Sequence, residues 1–367
     1  MTESLADASP AIELVKPAVR GQPAYTLVPR PSRRKLNQNE SPWDVPEALK
    51  REIIERAMAL PWNRYPEFVP SELLQRLAAA HAWHPDGILV GNGSNELIQA
   101  VLATTLSPGE AVVAPSPTFS LYRLLTNVFD GRYVPVALGG DFRYDVDSLI
   151  KAAVRERARV VVLNSPNNPT GSTLPPDGVE RVLEATDALV LCDEAYQDFG
   201  GPTAVPLLPS SPRVVVLRTF SKAFGLAGLR FGYALAHPSL AREIAKGKLP
   251  YNVNAITLAA AAMLMEHAEL RTERIRSLVA TRDRTVDRLR ALRGIRVYPT
   301  AANFVLLRCQ GVPARDVFRR LLDEHGILVR DVSSGSELQE CLRISIGTEE
   351  DMDAVAAALE QIVGGER

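Results

Sequence analysis

Five short apolar runs constrain the fold of this chain more than any other feature. They are "GILVG" (87–91), "EAVVAPSP" (110–117), "ARVVVLN" (158–164), "DALVLCD" (187–193) and "RVVVLRT" (213–219). None alternates apolar with polar residues, so each reads as a strand buried on both faces, the habit of a mostly parallel sheet. Segments with helical spacing lie between them, such as "SNELIQAVLATTL", "TFSLYRLLTNVF" and "DGVERVLEAT". Strands alternating with helices predict an α/β architecture, its sheet covered by helices on both faces. In such sheets ligands bind beyond the carboxyl ends of the strands.

Beyond about residue 255 the pattern changes. A long helical stretch, "AITLAAAAMLMEHAELRTERIRSLVATRDRTVDRLRAL", leads into "GIRVYPTAANFVLLRC", "ARDVFRRLLDEHGILVRD" and "CLRISIGTEEDMDAVAAALEQIV". We expect an arm over residues 1–40, a large domain over 41–255 and a smaller α+β domain over 256–367. The formal net charge of −1 gives no field to gather nucleic acid or anionic lipid, so no partner of either kind is expected. Cys192, Cys309 and Cys341 show no metal-ligand or disulfide spacing, which fits a reducing compartment. The first residues carry acids and prolines where a secretory leader needs a basic start and an apolar run, so a cytoplasmic protein is expected. "HAWH" (81–84) is the only histidine pair with suggestive spacing. It reads as solvated polar residues at a helix end, and no metal is expected.

Residues able to carry chemistry gather where strands end. In "VGNGSNELIQ", Gly91, Gly93 and Ser94 stand where a strand gives way to a helix, and backbone amides there can cradle a phosphate. Ser94 reads equally as an ordinary helix cap. The segment is no dinucleotide fingerprint, since Glu96 takes the third glycine's place, and no Walker loop. Asn168 in "NSPNNPTG" is either a ligand contact or part of an Asn-Pro turn. Asp193 is either a buried carboxylate with a cationic partner or a helix cap. Lys222 follows Ser221 in "RTFSKAFGLAGLRFGY", with Thr219 and Arg230 close by. A desolvated lysine near other cations loses basicity and becomes a nucleophilic amine suited to Schiff-base chemistry. Taken singly, it also reads as a surface lysine.

The order of these signals resembles the fold-type I pyridoxal-phosphate aminotransferases. "LNQNESP", "NRYPE", "GNGSNELI", "SPNNPTG", "DEAYQDF", "TFSKAFGLAGLRFGY" and "CLRISIGT" are similar to the histidinol-phosphate aminotransferase branch, from about residue 36 to near the C-terminus. The resemblance implies a homodimeric enzyme that exchanges amino groups between histidinol phosphate and the 2-oxoglutarate/glutamate pair. It implies that Lys222 holds pyridoxal phosphate covalently and shuttles a proton, and that Asp193 meets the pyridine nitrogen. Tyr196 and Asn168 would bond the phenolic oxygen, and Phe119 would stack on the ring. Gly93, Ser94, Thr219, Ser221 and Arg230 would bind the phosphate, and Asn95 would help cap that turn. Tyr65 would reach the neighbouring subunit's cofactor, while Asn39, Arg330 and Arg343 would bind substrate. An aromatic amino acid aminotransferase or a threonine-phosphate decarboxylase would share nearly all these motifs. A non-catalytic regulator usually carries a DNA-binding helix-turn-helix ahead of this fold, and residues 1–40 are too short and proline-rich for one.

Overall fold

The computed structural model describes residues 9–24, 26 and 28–364; the rest of the expected arm and the last three residues lie outside the described residues. Strand β1 (Arg34–Lys35) comes first. Seven strands follow: β2 (Ile88–Gly91), β3 (Ala111–Ser116), β4 (Arg132–Ala137), β5 (Val160–Asn164), β6 (Leu189–Asp193), β7 (Val214–Thr219) and β8 (Gly232–Ala236). They form one sheet in the order β2-β8-β7-β6-β5-β3-β4. From β4 to β7 every pairing is parallel, and β8 runs antiparallel to both its neighbours.

Both faces of this sheet are buried, as the unalternating runs predict. On β5, Val161 and Leu163 pack into one apolar cluster, while Val160 and Val162 pack into the other. The same division splits Val190 from Leu191 on β6 and Val216 from Leu217 on β7. Each such side chain contributes about 1.5–3 kcal/mol by leaving water. The parallel register also aligns strand ends. Asn164 ends β5 opposite Asp193 at the end of β6, and β7 carries Thr219 to the same edge.

A second, antiparallel sheet follows, ordered β12-β13-β10-β9. Its strands are β9 (Ile295–Val297), β10 (Phe304–Cys309), β12 (Arg330–Asp331) and β13 (Cys341–Ser345), and β11 (Ile327–Leu328) pairs in parallel with β1. The long helical stretch read from the sequence is two helices, Ala255–Glu266 and Ala268–Arg290, broken at His267. Each half has a different surface to cover. The first is apolar and packs on the helices 47–58 and 71–81, whereas the second is charged and packs on 349–364.

His81 departs from expectation. It is half-buried, and its Nε2 lies 2.7 Å from the Tyr233 hydroxyl. Burial, aided by the nearby Arg218 and Arg271 charges, depresses its pKa to about 4. Among the described residues no group of His, Cys, Asp or Glu could hold a metal ion, and no helix is long and apolar enough to cross a membrane.

Candidate active site

A cavity of about 470 Å³ opens where the carboxyl ends of the large sheet face the second sheet. Every residue expected from the sequence lines it except Gly91, Gly93 and Tyr65.

Lys222 lies in the loop after β7. It is partly reached by solvent through the cleft, but protein packed around the amine still desolvates it. Burial first, and then the charge of Arg343, pull its pKa down to about 7. Nζ donates to the Gln38 carbonyl at 2.9 Å and stands 5.7 Å from the Tyr196 ring centroid. Near neutrality much of this lysine is therefore the free amine, the nucleophilic form.

Asp193 is buried at the end of β6. Its Oδ2 accepts from the Tyr122 hydroxyl at 2.6 Å, and its Oδ1 accepts from the Ala195 N–H at 3.1 Å. The second contact closes a local turn and is not the helix cap that the sequence allowed, because the next helical turn is Gln197–Phe199 with Tyr196 before it; the first is a partner from another element. Burial pushes the carboxyl up from its ordinary range, and these two donors pull it partly back. Tyr122 itself is held protonated by burial and by Asp193, so it remains a donor.

A third group is a phosphate-sized cradle. Gly93 precedes the helix Ser94–Thr105 at φ +77°, and a side chain there would meet the Arg230 guanidinium at 2.5 Å. Arg230 donates to Ser221 Oγ at 3.1 Å, and Ser221 N donates to Thr219 Oγ1 at 3.1 Å. Gly232 explains how these segments meet: a Cβ there would lie 2.5 Å from Ser94 N, so only glycine lets β8 approach the turn. First-turn helix amides have no intrahelical partner, and with Arg230 beside them they form an anion site. Ser94 is the first helical residue rather than the cap. The turn is not held by Asn95, which lines the cleft. Its acceptor is Glu96, whose carboxylate takes the Asn92 N–H at 2.5 Å and the Asn252 side-chain amide at 3.0 Å. A carboxylate reaches back over one helical turn where the shorter Asn95 amide faces outward.

The opposite wall comes from the second sheet. Arg330 and Arg343 stand directly opposite each other on β12 and β13. Like charges in that register repel, which is tolerable where an anion is to be bound between them. Arg343 donates to Asn168 Oδ1 at 2.5 Å and to the Asn37 carbonyl at 2.7 Å, and so joins the two walls. Asn39 is buried, with its amide nitrogen 3.0 Å from the Tyr196 hydroxyl and its backbone N–H on Ser345 Oγ at 2.8 Å.

Phe119 lines the cleft edge-on to Tyr122, with centroids 5.7 Å apart. Tyr65 lies outside the cleft, 80 % exposed and stacked on Tyr251 at 4.5 Å. Sequence reasoning missed Tyr122 and Asn164. Asn164 donates to the Asp193 carbonyl at 3.0 Å and accepts from the Asn168 N–H at 2.9 Å, tying two strand ends together. Tyr122 carried one weak signal, its place three residues after Phe119 in a helix. Asn164 carried another, a polar residue closing an apolar strand.

A near-neutral amine, a buried carboxylate beyond it and an anion cradle to one side fit a flat, phosphorylated aldehyde. The facing arginines leave room for an anionic second molecule. The family profile of aminotransferase class I and II matches residues 34–359. Among curated relatives, the histidinol-phosphate aminotransferase of Chlorobium phaeovibrioides is 38 % identical over 96 % of this chain and 97 % of its own length. That of Chlorobaculum tepidum is 37 % identical over 89 % of this chain and 94 % of its own. A solved histidinol-phosphate aminotransferase from Sinorhizobium meliloti, in complex with pyridoxal-5'-phosphate, superposes with a TM-score of 0.86. It is 28 % identical and covers 96 % of this chain and 98 % of that one. The chain belongs to the class I and II aminotransferases, in the branch of the histidinol-phosphate aminotransferases.

Proposed function

We propose that this protein transfers the amino group of L-histidinol phosphate to 2-oxoglutarate, giving imidazole-acetol phosphate and L-glutamate, in histidine biosynthesis, with pyridoxal 5'-phosphate as cofactor. The observation that carries the reading is Lys222, a lysine with its pKa lowered to about 7 in the same cleft as a buried aspartate and two facing arginines. When bound, the cofactor supplies an electron sink for charge developing at the amine-bearing carbon.

The protein's residues do the rest. Lys222 binds the cofactor through its neutral amine and, once released by the incoming amine, moves a proton at the reacting carbon. Asp193, held by Tyr122, is the anion for the ring nitrogen. Tyr196 and Asn168 orient the ring oxygen; because Asn168 gives its carbonyl to Arg343, its NH₂ group is the donor. Phe119 supplies the stacking face. Ser94, Ser221, Thr219, Arg230 and the Gly93 amide hold the phosphate, with Asn95 at its edge. Arg343 and Arg330 bind the substrate phosphate in one half-reaction and the carboxylates of glutamate in the other, and Asn39 orients both.

Residues 41–255 would form the cofactor domain and 256–367 a smaller domain facing it, as the two sheets support, with 1–40 as an arm. The protein works as a cytoplasmic homodimer in this reading. Tyr65 and Phe68 pack on Tyr251 and leave an exposed aromatic cluster, as an interface between copies does. Tyr65 crosses that interface to the partner's phosphate. Purified protein loaded with pyridoxal phosphate should show a visible band that histidinol phosphate bleaches, with imidazole-acetol phosphate formed in equal amount. Lack of any band removes the reading.

A further inference from the structure

We infer that Arg218 is a positioning residue that locks the ends of β6 and β7 and the loop at Thr203–Ala204 together behind the cofactor wall. The inference rests on the cofactor reading above.

In a strand, successive side chains point to opposite faces. Asp193 and Thr219 line the cleft, so their neighbours Glu194 and Arg218 project to the other side of the sheet. There both are buried, and Arg218 Nη2 pairs with Glu194 Oε2 at 2.7 Å. The same guanidinium donates from Nη1 to Gln197 Oε1 at 2.6 Å and from Nη2 to Thr203 Oγ1 at 3.0 Å. Glu194 is completed by the Thr203 hydroxyl at 2.8 Å and the Ala204 N–H at 2.6 Å. Each principal member of this network is the chain neighbour of a cleft residue. Glu194 follows Asp193, Gln197 follows Tyr196, and Arg218 precedes Thr219, the last residue of β7 before the loop that carries Lys222.

A buried ion pair is poor value as a stabiliser, because desolvating both charges offsets much of their attraction. Its advantage is geometric. A planar fork bonded in several directions holds two strand ends and the loop at Thr203 in one relation, which a hydrophobic contact would let slide. The pair is also electrically neutral, so it leaves the charge of Asp193 uncancelled on the cleft side. Arg218 touches nothing in the cavity and acts only through Asp193, Tyr196 and Lys222.

Two variants test this. Arg218→Lys keeps a cation beside Glu194 but loses the fork. Gln197→Ala removes one arm of it at a partly covered position. The readouts are the visible circular dichroism per bound pyridoxal phosphate, which reports ring orientation, the split between kcat and KM, and thermal unfolding of the cofactor-free protein. For Arg218→Lys we expect the induced dichroism to fall at least twofold and kcat about tenfold, with KM for histidinol phosphate changed less than twofold. Gln197→Ala should shift the same readouts in the same direction, by about half as much in dichroism. Unchanged dichroism and kcat in either folded variant, even with a lowered unfolding temperature, would overturn the inference and leave a purely structural ion pair. If Arg218→Lys does not accumulate as folded protein, Gln197→Ala decides alone. Wild-type protein with no visible band would instead refute the cofactor reading itself.

Discussion

The wall of the cleft that carries Lys222 and the wall that carries Arg343 are assembled in different ways. The first is the aligned carboxyl edge of β5, β6 and β7, buried on both faces and reinforced from behind by Arg218 and Glu194. Each of its functional residues lies within a few positions of a strand end, so the chemistry follows from local segments plus a parallel register. The second wall is a short antiparallel pairing, β12 against β13, that puts Arg330 opposite Arg343. Nothing local fixes that pairing; it needs the sheet, together with the contacts of Arg343 to Asn168 and Asn37 from distant parts of the chain. In the proposed reading, reaction type rests on the first wall and substrate choice on Arg330 of the second. Lesions in the first wall should impair chemistry for every substrate, whereas a lesion at Arg330 in the second should discriminate among substrates.

The sharpest break in the first wall is Lys222→Ala. Turnover should fall below detection with all amino donors, while circular dichroism and thermal unfolding of the apoprotein stay near normal. Residual transamination above a trace, without added amine, would contradict the role of Lys222. Next in size is Asp193→Asn, which keeps the Tyr122 contact but removes the negative charge. Loss of one preorganised group of this kind costs roughly 100- to 1,000-fold in kcat, about 2.7–4 kcal/mol. Equal losses for histidinol phosphate and glutamate would place the residue in the shared wall; near-normal turnover would reduce it to a local turn contact.

The second wall is tested by its two arginines. Arg343→Ala should impair histidinol phosphate and glutamate alike, because it removes both an anion contact and the tie to Asn168. Arg330→Ala should be selective. A charge-assisted contact is worth about 1.5–3 kcal/mol, so kcat/KM for histidinol phosphate should drop roughly 10- to 150-fold, and that for phenylalanine less than about threefold. Equal losses would erase the proposed division between the walls.

The smallest effect is one of pH. A lysine is reactive when neutral, so the rate at which apoprotein captures pyridoxal phosphate should rise through pH 7 and level off above it. Between pH 6 and 8 the gain should be about tenfold, followed by a plateau. A rate still climbing steeply at pH 9 would mean that the burial and the Arg343 charge around Lys222 do not set its basicity.

The same contrast explains what could be read in the sequence. Runs such as "VVVLN" and "LVLCD" encode burial on both faces directly, and the polar residue closing each run marks the cleft. Asp193 stood out for that reason, while the roles expected of Lys222, Asp193 and Arg230 came from the resemblance of their motifs to a known family. Tyr122 was not legible, because a tyrosine on an apolar helix is ordinarily core, and only the placement of its helix against the helix 94–105 and β4 brings its hydroxyl to Asp193. The capping of the phosphate turn by Glu96 rather than Asn95 depends on reach across a helical turn and on Asn252, 156 residues away. Arg218 and Glu194 look like ordinary strand-end charges until β6 and β7 are paired. The break at His267 was hidden because both halves of that stretch carry helical spacing; only the different surfaces they cover demand two axes.

The central claim, that the second wall selects a phosphorylated amine for the chemistry of the first, is tested most directly by specificity constants. Histidinol phosphate, phenylalanine and threonine phosphate would each be assayed with 2-oxoglutarate on the same loaded protein. Histidinol phosphate should lead phenylalanine by at least about 100-fold, which is about 2.7 kcal/mol of differential transition-state binding, and threonine phosphate should release no carbon dioxide. A phenylalanine constant equal to or above that of histidinol phosphate would contradict the account and make this an aromatic amino acid aminotransferase.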